Sequence, residues 1–92
     1  MSEEKLSVQH NGTKLWFKDD GLCHREGGPA IEYADGTKIW CMNGKFHRLD
    51  GPAIEDVNGT IEWYLNGEQY SFEEFLAKLP VEDAILVALE WK

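Results

Sequence analysis

A chain of 92 residues with 17 acidic and 9 basic side chains, a formal charge of -8, has room for one modest core beneath a surface that repels phosphates and draws cations. That balance argues against direct nucleic-acid binding. The two cysteines stand in unlike settings, Cys23 before a His-Arg pair and Cys41 after a tryptophan, so they outline no disulfide framework and read as reduced thiols.

The opening Met-Ser-Glu-Glu-Lys lacks the positive flank and apolar run of a secretory signal, and no apolar stretch reaches membrane-span length. A cytoplasmic protein with no membrane contact is expected. Residues 1–92 read as a single domain, with a β-repeat sheet over 5–70 and helices over 71–92.

From position 11 the chain repeats itself. Asn11-Gly12-Thr13-Lys14-Leu15-Trp16, Gly21, His24-Arg25 and Gly28-Pro29-Ala30-Ile31-Glu32 recur in order as Asp35-Gly36-Thr37-Lys38-Ile39-Trp40, Gly44, His47-Arg48 and Gly51-Pro52-Ala53-Ile54-Glu55. The unit is roughly 23 residues long, and roughly half of its aligned positions are identical. A third copy keeps Asn58-Gly59-Thr60, Trp63 and Asn66-Gly67, then loses the pattern.

Each unit carries the punctuation of a β-meander. The Asn-Gly and Asp-Gly pairs at 11–12, 35–36, 43–44, 58–59 and 66–67 accept the positive φ of tight turns. Lys38–Met42 and Lys45–Arg48 should therefore pair across Asn43-Gly44. Gly-Pro-Ala closes the second strand, because proline has no amide to donate, and Ala-Ile-Glu opens a third. The expectation is a mainly β fold, a single-layer antiparallel meander with a C-terminal helical cap.

Trp16, Trp40 and Trp63 share one phase and should form a column, with Ile31 and Ile54 in a second. Two readings of the tryptophans stand, a structural ladder or an aromatic strip for a flat ligand. The pairs His24-Arg25 and His47-Arg48 divide in the same way. Either they bind backbone carbonyls around the Gly-Pro-Ala turn and pair with Glu32, Glu55 or Asp50, or they form a cationic row that grips a phosphate or carboxylate.

Past Ser71 the period changes. Ser71-Phe72-Glu73-Glu74 has the form of a capping box ahead of Phe72, Phe75, Leu76 and Leu79 at helical spacing. Pro80 ends that helix, and Val81, Ala84, Ile85, Val87, Ala88, Leu89 and Trp91 form a second, mostly apolar one. Its first role is to cover the last repeat, with protein docking or dimerisation as the alternative.

The words Gly-Lys-Phe-His-Arg-Leu-Asp-Gly-Pro-Ala-Ile-Glu, residues 44–55, resemble the MORN-like repeats of small phage and bacterial proteins with His-Arg-x-x-Gly-Pro-Ala units. The resemblance covers about residues 11–70. It implies a meandering antiparallel sheet, a phage or bacterial origin and an interaction role.

No catalytic constellation emerges. His24 and His47 lie a repeat apart, neither cysteine has metal-ligand spacing, and Cys23 and His24 as strand neighbours point to opposite faces. The glycines serve turns, so no phosphate-cradling loop is left. A sheet this small also offers little concavity. The chain is expected to be no enzyme, with no cofactor and no metal. Its expected function is protein interaction, as an inhibitor or antitoxin-like binder of a bacterial host protein. The alternatives are a binder of a small anion such as a nucleotide, through the His-Arg pairs and tryptophans, and an acidic DNA mimic.

Overall fold

The computed structural model describes residues 4–91, and these form nine short antiparallel strands followed by two helices. The strands are β1 Lys5–Val8, β2 Lys14–Phe17, β3 Ile31–Glu32, β4 Lys38–Ile39, β5 Cys41–Met42, β6 Lys45–Phe46, β7 Ile54–Glu55, β8 Ile61–Leu65 and β9 Glu68–Tyr70. The helices are α1 Phe72–Lys78 and α2 Val81–Trp91. The protein is mainly β. No helix among the described residues is long and apolar enough to cross a membrane.

Seven strands form one sheet in the order β1-β2-β3-β4-β7-β8-β9, and β5-β6 stand apart as a hairpin. The register sets Leu15 beside Ile31, Ile31 beside Ile39 and Ile39 beside Ile54, so the expected Ile31 and Ile54 belong to one aliphatic row. The neighbouring row, Lys14, Glu32, Lys38 and Glu55, alternates in sign from strand to strand. Cross-strand pairs of this kind are worth a few tenths of a kcal/mol to about 1 kcal/mol each. A slip by one residue would set these charges against the aliphatic row.

The chain does not stay in this sheet along a whole unit. Trp40 donates its amide to Ala53 O at 2.7 Å but accepts from His47 N at 3.1 Å, so the strand changes partners at the tryptophan. Trp16 does likewise, donating to Ala30 O and accepting from His24 N. Lys38–Met42 is thereby split, and only Cys41–Met42 pairs with Lys45–Phe46. In β8 the first two residues pair with β7 and the last three with β9.

The Asn-Gly and Asp-Gly pairs fall into two kinds. Asn43-Gly44 and Asn66-Gly67 have both residues at positive φ, 53° and 79°, then 51° and 85°, the two-residue hairpin geometry expected of them. At Asn11, Asp35 and Asn58 the side-chain oxygen instead accepts the amide two residues on, from Thr13, Thr37 and Thr60. These are wider loops closed by an Asx bond. Two of the threonines reach across to the next loop, Thr13 Oγ1 accepting from Ala34 N and Thr37 Oγ1 from Val57 N.

Helix α1 starts at the expected capping box, Ser71 accepting from Glu74 N and Glu74 accepting from Ser71 N at 2.9 Å. Hydrogen bonds from Ser71 hold the Glu74 carboxyl below its usual range. The apolar core lies here, where Phe75, Leu79 and Val87 pack on Trp63 with Phe72 and Trp91 beside them. Burying Phe75 completely contributes on the order of 2–3 kcal/mol. Elsewhere the buried apolar side chains are small, such as Ala30, Cys41 and Ala53.

Candidate functional site

Arg25 and Arg48 each sit in a slot made by their own unit. The Arg25 guanidinium carbon lies 3.8 Å from the Trp16 ring centre, and that of Arg48 lies 3.8 Å from the Trp40 ring centre. On the other side is a glycine. A Cβ on Gly28 would fall 2.9 Å from Arg25 Cζ, and one on Gly51 would fall 2.6 Å from Arg48 Cζ. The glycine of Gly-Pro-Ala therefore makes room for a stacked guanidinium, a need of space rather than of positive φ.

In-plane bonds complete the slot. Arg25 Nη1 donates to Pro29 O at 3.1 Å and to Glu32 at 3.2 Å, and Arg48 Nη1 donates to Pro52 O at 3.1 Å and to Glu55 at 2.6 Å. Tryptophan, arginine, glycine, the proline carbonyl and glutamate thus meet in one contact. A guanidinium is planar and weakly hydrated, so it stacks and bonds at once in a way an ammonium does not. The carboxylates also offset the charge that a cationic row would need.

The histidines join one unit to the next. Asn43 N donates to His24 Nδ1 at 3.0 Å, and Asn66 N donates to His47 Nδ1 at 3.0 Å. The glycine amides of the same turns go to Cys23 O and Phe46 O. Accepting at Nδ1 places the proton of the neutral ring on Nε2. Burial holds His47 below its usual 6.5.

Trp63 departs from the other two tryptophans. Among the described residues no arginine covers it; Phe72 and Phe75 lie at 5.0 and 4.9 Å between ring centres, and Trp91 meets it edge-on at 6.0 Å. Trp16 and Trp40 each donate to the alanine of the following Gly-Pro-Ala, Ala30 and Ala53, whereas Trp63, expected in the same column, is core. Trp16 and Trp40 remain half-buried.

The two arginine slots also differ. Arg48 has a further partner, Asp50, bonded to Nε at 2.8 Å, whereas Gly27 stands at that place in the first unit and Arg25 bonds through Nη1 alone among the described residues. Between the slots lies a cleft of about 530 Å³, bounded by Arg25, Pro29, Trp40, Met42, His47 and Arg48. It is an open cleft on a sheet expected to offer little concavity. Arg25, Trp40, His47 and Arg48 come together here; Trp16 is engaged with Arg25, His24 is buried against the Asn43 turn, and Trp63 lies in the core. Met42 is the addition, and Asp50, already a candidate partner of the arginines, stands where the first unit has Gly27.

The cysteines are not in unrelated places. Burial and then the adjoining Cys23 thiol push the Cys41 thiol well up, so the bend brings both sulfurs together as free thiols. Glu4, His24 and Glu26 lie close enough to suggest a cation site. The Nε2 proton fixed by the Asn43 bond removes the lone pair that a metal would need. Comparison with family models, curated proteins and solved structures finds no match.

Proposed function

We propose that this chain is a MORN-like repeat module for protein interaction, a single-layer β-meander whose acidic surface docks on a basic face of a bacterial host protein in the cytoplasm, in the manner of an inhibitor or antitoxin. The observation that carries this reading is the internal use of both His-Arg pairs. Each arginine is stacked, bonded to a carbonyl and matched by carboxylate, and each imidazole nitrogen Nδ1 is taken by a turn amide. What remains outward is negative charge and exposed aliphatic side chains such as Leu49, Ile85 and Leu89. Charge of one sign steers association and sets partner choice.

Affinity capture from bacterial lysate at low and moderate salt tests it. A stoichiometric partner that weakens as salt rises is expected, and recovery of none would retire the proposal.

One observation favours a second reading, a small anion in the cleft. Arg25 keeps Nε and Nη2 without a hydrogen bond among the described residues and lines the cleft together with Trp40 and His47. A nucleotide held there would raise the melting temperature, since a ligand of the native state stabilises it by mass action. Arg25→Gln should abolish that shift. A panel of nucleotides producing none removes this reading.

A further inference from the structure

A groove of about 180 Å³ separates the loop after Arg48 from α2. Val87 is its buried floor, and Leu49 and Leu86, 57% and 66% exposed, are its walls. Asp50, Asp83 and Glu90 stand around the rim. They do not gather closely enough to form a metal site, since the group of Glu4, His24 and Glu26 is the one such cluster among the described residues. Carboxylates spread around an apolar slot suit a cation carried on an alkyl stem.

Two features mark this face as unfinished. Val81, Ile85 and Leu89 recur every fourth residue of α2 as an exposed aliphatic stripe, and Leu89 follows the groove wall Leu86 by three residues, a neighbouring position on the helix surface. Glu90 stands in the last turn, at the negative end of the helix dipole, in a turn with no basic residue among the described ones. An arriving cation would relieve that cost.

We infer that the groove and stripe are a docking surface for a basic amphipathic segment of another protein, with a lysine or arginine stem between Leu49 and Leu86 and its head among Asp50, Asp83 and Glu90. This names the partner's chemistry and rests on the protein-interaction reading above. A second copy of the chain is the wrong occupant, because each copy carries a formal charge of -8 and would bring the same acidic rim.

The test uses two synthetic helical peptides with identical leucine spacing, one with lysine and one with glutamate at the polar positions, titrated into the full chain by calorimetry. The lysine peptide should bind and the glutamate peptide should not. Leu86→Ser, and separately Asp83→Asn with Glu90→Gln, should each weaken binding roughly tenfold, while Leu22→Ser in the loop between β2 and β3 leaves it unchanged. All these residues are exposed, and unaltered melting temperatures would verify that the variants remain folded. Equal binding by the groove variants, equal binding of both peptides, or a wild-type dimer dispersed by Leu86→Ser overturns the inference. Lysate capture run with wild type and Leu86→Ser in parallel separates the two levels. A partner recovered equally by both keeps the interaction reading and removes this surface, whereas no peptide binding and no partner removes both.

Discussion

The arginine-covered end of the sheet and the helix-covered end solve one problem in two ways. Trp16 and Trp40 are each covered by a guanidinium held by a carbonyl and a carboxylate, whereas Trp63 in β8 is covered by Phe72, Phe75 and Trp91. The first arrangement depends on paired charge and on a glycine; the second is hydrophobic burial. The indole position is thus a socket whose cover is chosen by the chain that follows it. Stability should concentrate where the cover is apolar, because a partly exposed ion pair returns little net energy.

The contrast is broken most severely by Phe75→Ala. Phe75 is completely buried, and its loss should cost about 3–4 kcal/mol by chemical denaturation. If that variant were no worse than the arginine-slot variants below, the helical end would not be the stable one. Gly51→Ala comes next, at about 1–2 kcal/mol, because the new methyl expels the Arg48 guanidinium and leaves Glu55 half-buried without its partner. Gly28→Ala, acting on the more exposed Arg25, should cost less than about 1 kcal/mol.

A pH titration sharpens the comparison further. With the His47 pKa lowered by burial, the unfolded chain takes up the proton first, so this contribution is present above pH 6.5 and is lost as the pH falls below it. Denaturation midpoints between pH 5 and 7.5 should show a shallow decline that His47→Gln flattens. Smallest of all is Asp50→Gly, which makes the second slot resemble the first. The Asp50 side chain is 84% exposed, so about 0.5 kcal/mol is expected, and a loss above 2 kcal/mol would show that the two slots are not variants of one design.

What could be read along the chain was local. The Asn-Gly turns, the Ser71 capping box and the change of period after it are signals within a few residues, and the strands and helices lie where those signals place them. The stacking of Arg25 on Trp16 was not legible, although Glu32 and Glu55 were recognised as candidate partners. The stack depends on the strand changing neighbours at the tryptophan, a feature with no local mark. For the same reason Cys23 and Cys41 looked unrelated, and the cleft between the arginine loops went unseen. Strand β1, outside the repeated words, had only the general placement of a sheet from position 5.

In an isolated hairpin the amides at the tip of a two-residue turn trade hydrogen with water almost freely. Here the tip amides of Asn43 and Gly44 are held by His24 and Cys23, and those of Asn66 and Gly67 by His47 and Phe46. Each tip can be deuterated only after the strand before it lets go. Slow labelling should therefore appear at the outermost points of the sheet, where a loop would ordinarily label fastest.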